Sequence, residues 1–424
     1  MPYYETDTVT LHHGDSLTTL PTLGDASVDA IVTDPPYEIG IASHSWDSTG
    51  IAYNVNLWRE CWRVLKPGGH LIAFGAPRTY HRLASAIEDA GLHIVDQLDW
   101  IYTHGKPKGI DLARAIDRHR DDRPQILQVT AWLKAARDAA GWTTEKINHL
   151  FGFHARGQAT HWTTHGVAAA VPTPAQWDRL ITALGADDST IRHVVEALWA
   201  RKGTVGEAFG TREIISQRHE TARTTSHYQG YSGHRVKARA ASADARRWEG
   251  WHTALRPAHD PIVLARKGTG YDTLTAGVLR HGVGGLHTAA CTAAGGGWPT
   301  NILIGHDCPD GGPCADGCPV RDLGAAAASF PIFRLESRTP AAERIEVDGV
   351  THPTPKPLAL MRWLVRLVTP PGGLVLDPFA GSGTTLQAAL LEGARAVGVE
   401  QHEPYAALCR ARLDRPLDLP LFTA

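Results

Sequence analysis

The chain has 424 residues, 43% hydrophobic and 20% charged, which is enough apolar material for a sizeable core and excludes wholesale disorder; at about 100–200 residues per domain it has room for two or three domains. A formal net charge of −2 excludes uniform coating of a polyanion but allows a local basic face. No apolar run reaches the ~18 residues of a membrane span, the N-terminus has no basic region followed by an apolar stretch, and six Cys do not make a secreted disulfide scaffold, so a cytoplasmic protein without membrane association is expected.

The two ends of the chain read as α/β. Residues 28–32 form a short apolar strand that runs into Thr33-Asp34-Pro35-Pro36-Tyr37. Leu57, Trp58, Cys61, Trp62 and Leu65 fall at helical spacing, and Lys66-Pro67-Gly68-Gly69 stops that helix. A strand at 70–74, a helix at 78–90 and a strand at 92–101 follow. Strands that alternate with helices predict a parallel sheet.

The middle is helical over 125–200. A helix at 125–139 is broken by Gly141, a short one capped by Thr143 reaches Leu150, and another starts near Arg156, a helix-turn-helix-like pattern. Thr173-Pro174-Ala175-Gln176 is a helix start with the elements of a capping box. Residues 201–267 are basic and aromatic. Within them Trp248 and Trp251 read as core, and residues 261–267 return the chain to the sheet. Residues 282–330, rich in Gly, Ala and Cys, read as loops. The C-terminal end resumes the alternation: helix 357–368, strand 374–376, helix 384–391, strand 396–399, helix 404–413.

Two motifs carry chemistry. Asp377-Pro378-Phe379-Ala380-Gly381-Ser382-Gly383-Thr384-Thr385 follows a strand and opens a helix, with glycines that let a ligand approach the backbone. It is not a Walker loop, since no Gly-Lys-Ser/Thr follows, and Leu386 stands where a dinucleotide fingerprint needs its third glycine. An acid at the strand end suits an ammonium rather than a pyrophosphate. Glu400, 23 residues on, stands where doubly wound folds hold ribose hydroxyls. Ammonium plus ribose suggests S-adenosylmethionine. In the second motif, Asp34-Pro35-Pro36-Tyr37, two prolines stiffen a loop that presents a carboxylate, the Pro35 carbonyl and an aromatic face. Those parts suit an exocyclic amine: two acceptors for its hydrogens and a ring for its base.

Together the motifs resemble the amino-group DNA methyltransferases, N6-adenine and N4-cytosine, in the beta order: DPPY first, DPFAGSGTT last, a long insert between. His12-His13-Gly14-Asp15-Ser16-Leu17 is similar to the family's acidic segment, which implies that Asp15 reads the cofactor adenine. His352-Pro353-Thr354-Pro355-Lys356-Pro357 is similar to its HPTxKP segment, which implies that Thr354 and Lys356 lie near the cofactor carboxylate. The resemblance covers about residues 8–105 and 350–413. It implies a doubly wound, Rossmann-like α/β methyltransferase sheet built from both chain ends, with a large, mostly helical and loop-rich insert. The expected divisions are 1–105 for the catalytic half, 106–340 for the inserted target-recognition region and 341–424 for the cofactor half.

The implied site has Asp34, Pro35 and Tyr37 as catalytic residues, and Asp15, Thr354, Lys356, Asp377, Phe379, Gly381, Ser382, Gly383 and Glu400 around S-adenosylmethionine. The implied reaction is site-specific methyl transfer to the amine of a base flipped from double-stranded DNA. Asp at the first position of the tetrapeptide favours adenine N6 over cytosine N4. RNA methylation and a non-catalytic DNA-binding regulator are the rival classes. A bacterial or phage-encoded enzyme is implied, compatible with a homodimer and with a restriction endonuclease partner.

In this family the insert reads the sequence. Residues 211–247 hold eight Lys/Arg against three Asp/Glu, and the aromatic, glycine-rich run 226–235 suits phosphates and bases. Arg235, Lys237, Arg239, Arg246 and Arg247 are the candidate DNA contacts. His306, Cys308, Cys314 and Cys318 are candidate metal ligands: Cys314-x3-Cys318 fits zinc spacing and Cys308-x5-Cys314 is loose, so reduced, unligated thiols on a loop are the preferred expectation.

Overall fold

The computed structural model describes residues 2–40, 45–102, 109–119, 122–153, 159–166, 168–200, 213–220, 233–293, 295–306, 308, 314–316, 318–334 and 345–415. The chain makes two compact units, residues 1–106 with 257–424, and residues 107–256. In chain order the described strands are β1 (Tyr4–Glu5), β2 (Val9–His13), β3 (Val28–Thr33), β4 (Leu65–Phe74), β5 (Leu92–Ile101), β6 (Ile214–Glu220), β7 (Gly233–Ala238), β8 (His259–Lys267), β9 (Ile302–His306), β10 (Ile332–Arg334), β11 (Glu346–Val347), β12 (Val350–Thr351), β13 (Leu374–Asp377) and β14 (Arg395–Glu400).

Ten strands form one sheet in the order β1-β2-β14-β13-β3-β4-β8-β5-β9-β10. The C-terminal strands β13 and β14 lie between β2 and β3, so the middle of the sheet is made by both chain ends. Neighbours from β2 to β4 run parallel, whereas β8 is antiparallel to both β4 and β5. This is the doubly wound α/β sheet expected, with one reversed strand inside it. The parallel registers align Thr33 with Ala73, Asp377 with Gly398 and Glu400 with His13. The loops after β2, β3, β13 and β14 therefore emerge at one end of the sheet, where open α/β folds bind ligands.

Successive strand residues serve opposite faces. Val32, Ile72 and Val375 pack with the helices Leu358–Val368 and Thr384–Leu391, while Ile31, Leu71 and Leu376 pack with the helices Val55–Val64 and Tyr80–Asp89. Lys66-Pro67-Gly68-Gly69 ends the first of these as expected, but the strand begins at once, so β4 is longer than 70–74. Gly69 permits this: a Cβ there would lie 2.9 Å from the Asp29 carbonyl oxygen.

The expected insert of 106–340 is shorter in the structure. The chain rejoins the main unit at 257, and β8, β9 and β10 belong to its sheet. Ile262 and Leu264 are buried on one face of β8, Val263 and Ala265 on the other, which explains why this run reads as continuously apolar. Residues 282–330, expected as loops, contain β9, held by buried Leu303 and Ile304.

The second unit is mostly helical in its described residues. The helices Arg123–Ala139, Thr144–Leu150, Pro174–Leu184 and Arg192–Ala200 share a core of Leu133, Ile147, Trp162, Trp177, Leu180 and Val195. The Thr173–Gln176 capping box forms in full. Trp248 and Trp251, expected in the core, are 43% and 59% exposed and meet edge to face at 5.4 Å. The helix start near Arg156 and residues 226–232 lie outside the described residues. Among the described residues no helix is long and apolar enough to cross a membrane.

Candidate active site

Asp34 follows the last residue of β3. Its Oδ2 accepts a hydrogen bond from the Lys356 ammonium at 2.5 Å, while Oδ1 is buried with no hydrogen-bond partner. Burial raises the Asp34 pKa above the usual carboxylate range, and the Lys356 charge opposes that rise. One oxygen is thus anchored and the other is left to accept. The resemblance implies that Lys356 lies near the cofactor carboxylate; in the structure its ammonium sits on Asp34, 5.0 Å from the Tyr37 ring centroid and 4.8 Å from that of Phe74. The contact joins residues 322 apart in sequence, which no local spacing could reveal.

Tyr37 is held at both ends. Its hydroxyl donates to Asp260 Oδ2 at 3.0 Å, and its carbonyl accepts from the Thr79 hydroxyl at 3.1 Å. Tyr102 donates to the other Asp260 oxygen at 3.0 Å. Burial, then the Asp260 charge, hold the Tyr37 hydroxyl well above the ordinary phenol range, so it stays a neutral donor. Asp260 carried no signal in the sequence, because β8 reaches this place only through its reversed direction in the sheet, while Tyr102 follows the end of β5.

The second motif turns on two glycines in the left-handed region, Gly381 at φ 53° and Gly383 at φ 81°. A Cβ on Gly383 would meet Cys409 Sγ at 2.5 Å, and one on Gly381 would meet His352 Nε2 at 3.2 Å. Asp377, buried, accepts from the Thr33 hydroxyl at 2.7 Å and the Phe379 amide at 3.0 Å. Burial pushes its pKa up to about 6, against hydrogen bonds from Thr385, Thr33 and Phe379, with Asp34 adding to the rise. Glu400 accepts from the Gly381 amide at 2.8 Å and the His402 amide at 2.7 Å. Its pKa is raised by burial, with those two amides opposing. Ser382 Oγ is buried and has no hydrogen-bond partner. Phe379 packs its ring against the core.

Asp15 caps the short helix Ser16–Thr19 by accepting from the Leu17 amide at 2.8 Å. The next residue, Ser16, donates to the Pro378 carbonyl at 2.5 Å, which ties this segment to the glycine loop. Thr354 is exposed, its amide 3.4 Å from His352 Nδ1. The Thr33–Asp377 hydrogen bond links the two motifs directly, so the structure brings Asp34, Asp377, Lys356, Glu400 and Asp15 to one end of one sheet.

The candidate DNA contacts belong to the other unit. Arg235 and Lys237 stand on β7, opposite Arg218 and Ser216 of β6. Arg239, Arg246 and Arg247 are exposed, and Arg239 lies 3.6 Å from Glu213.

Lys356→Met should leave Asp34 as a buried carboxylate without its cation. The Asp34 pKa then rises further, so a step needing its anion is lost as pH falls through that higher value. The expected result is a loss of about tenfold or more in kcat/KM at neutral pH that shrinks as pH increases. A uniform loss at every pH would contradict this role.

A family model described as DNA methylase matches residues 28–119 and 224–410. The chain is 34% identical over 83 residues to the type II methyltransferase M.ScaI of Streptomyces caespitosus, a match covering 20% of this chain and 27% of that protein. It is 43% identical over 63 residues to the DNA adenine methyltransferase YhdJ of Escherichia coli, covering 15% of this chain and 21% of that one. The matches thus span about a quarter of each relative's length. Among solved structures, the cytosine-N4-specific PvuII DNA methyltransferase aligns at TM-score 0.43 and 12% identity, over 99% of this chain and 90% of that one. The M1.HpyAVI complex with SAM aligns at TM-score 0.39 and 13% identity, over 96% and 100%. The two segments matched by the family model make up more than half of the chain, and the protein belongs to the DNA methylase family.

Proposed function

We propose that this protein transfers the methyl group of S-adenosylmethionine to the exocyclic amine of a base in double-stranded DNA, adenine N6 in particular. The observation that carries the reading is the adjacency of the two motifs: Thr33 donates to Asp377, and the next residue, Asp34, keeps one buried oxygen free to accept. An acceptor for an amine therefore stands beside the loop suited to the cofactor.

The residues fit S-adenosylmethionine. The loop turns on two left-handed glycines, Ser382 offers a buried hydroxyl, and Glu400 and Asp377 provide carboxylates at two strand ends. When bound, the cofactor supplies an electrophilic methyl on its sulfonium. Asp34 Oδ1 and the Pro35 carbonyl accept hydrogen bonds from the target amine, which draws the nitrogen lone pair out of conjugation. Lys356 keeps Asp34 anionic despite burial, and Tyr37, fixed by Asp260, offers its face to the base. Asp34 acts as an acceptor rather than as a base that deprotonates first, because an adenine amine is too weak an acid. Alignment is then the main source of catalysis, worth ~7–11 kcal/mol in favourable cases.

Adenine is favoured by Asp at position 34, since the N4-cytosine branch more often carries Ser there. Methylation-sensitive sequencing of DNA from cells expressing the protein tests the choice: N6-methyladenine in a defined context is expected, and N4-methylcytosine would move the target to cytosine.

The basic segment is assigned to DNA affinity. A protein of net charge −2 that holds a polyanion needs a local patch. Replacing Arg235, Lys237, Arg239, Arg246 and Arg247 together by Gln should weaken DNA binding and lower the salt slope by about 0.9 for each phosphate that is no longer neutralised. Cofactor affinity should stay as in the wild type. An unchanged slope in binding across a salt series would move the DNA contacts elsewhere, to the helices of 125–200.

A further inference from the structure

We propose that His306, Cys308, Cys314 and Cys318 form a structural zinc site of the Cys3His type that locks the edge of the main sheet. His306 is the last residue of β9, opposite Arg334 of the edge strand β10. One ligand atom from each of the four residues lies within 4.8 Å of all the others. His306 Nδ1 is 3.6 Å from Cys314 Sγ and 3.5 Å from Cys318 Sγ. Zinc bonds of about 2.3 Å to sulfur and 2.0–2.1 Å to nitrogen make the edges of a tetrahedron about 3.5–3.8 Å long. Two of the six separations are thus those one ion needs, and the other four lie within 4.8 Å.

The donor chemistry selects the ion. Three thiolates and one imidazole are a soft, closed set that favours zinc over magnesium or calcium and leaves no position open for a reacting ligand. His306, Cys308 and Cys318 are buried, and the Ala315 amide donates to Cys308 Sγ at 3.4 Å, the outer hydrogen bond a zinc-bound thiolate uses. The loose spacing between Cys308 and Cys314, which argued against a metal in the sequence, matters less once the fold gathers the three thiols around His306 at a strand end. Binding releases the three thiol protons, and the ion ties the segment between β9 and β10 to the sheet.

The test is metal analysis of the purified full-length protein grown with added zinc. About one zinc per chain is expected, retained through gel filtration and released when a mercurial reagent titrates the thiols. Cys314→Ser and Cys318→Ser should each lose the metal, while Cys291→Ser, outside the cluster, should retain it. If the serine variants fail to fold, cobalt substitution of the wild type gives a second readout: intense thiolate-to-cobalt charge transfer with tetrahedral d–d bands. Zinc-free folded wild type, a disulfide between two of the three cysteines, or octahedral cobalt bands would each overturn the assignment. Metal content is read independently of methyl transfer, so it stands or falls apart from the proposed activity.

Discussion

Asp34→Ala is expected to abolish detectable methyl transfer while the protein still binds S-adenosylmethionine. The carboxylate stands after β3 with one oxygen on Lys356 and the other free. Removing a positioned polar group that acts on developing charge costs about 10²–10³-fold in kcat, and here the missing group also orients the amine, so the loss should reach at least that range. The cofactor loop keeps its own supports, the Thr33–Asp377 and Gly381–Glu400 hydrogen bonds. Asp34→Asn serves as a control for folding, because an amide oxygen can still accept from Lys356. Turnover and cofactor binding are measured on the same preparations. A variant that kept wild-type turnover, or that lost cofactor binding while still folded, would reverse the assignment of Asp34.

The second large effect is structural. A fragment of residues 1–350 should give no soluble, cooperatively folding protein. It lacks β13 and β14, which stand between β2 and β3, so β1 and β2 are cut off from the rest of the sheet. It also lacks Leu360, Leu364, Val365, Val375, Leu376, Leu386 and Val399, seven side chains with no exposed surface. At ~1.5–3 kcal/mol each their burial is worth about 10–20 kcal/mol, more than the ~5–15 kcal/mol by which a domain is stable. The uncovered strands would present free edges and apolar faces prone to aggregation. A fragment with a cooperative melt and methyl transfer would contradict a sheet built from both ends.

Much of the fold was legible because its signals are local. Helical spacing around Leu57, Trp58 and Cys61, the breaks at Pro67 and Pro370, and the Thr173 capping box all depend on residues a few positions apart. The two motifs were legible for the same reason: each is one tight turn at a strand end. Long-range partnerships were not. Lys356 on Asp34 and Asp260 on Tyr37 join residues 322 and 223 apart, and neither contact leaves a periodic trace. The return at 257 was visible in 261–267 as an apolar run, but β9 was hidden because Gly- and Ala-rich flanks masked a five-residue strand. Trp248 and Trp251 misled for a plain reason: tryptophan is usually covered, and these two stay largely exposed, meeting edge to face.

The proposed activity is methyl transfer from S-adenosylmethionine to an exocyclic amine in DNA. Its most direct test incubates the purified full-length protein with S-adenosylmethionine labelled on the methyl group and unmethylated duplex DNA, then digests the DNA to nucleosides and separates them. Label in N6-methyldeoxyadenosine that depends on Asp34 is expected. Label confined to 5-methyldeoxycytidine, or no transfer to DNA by a protein that binds the cofactor, would contradict it.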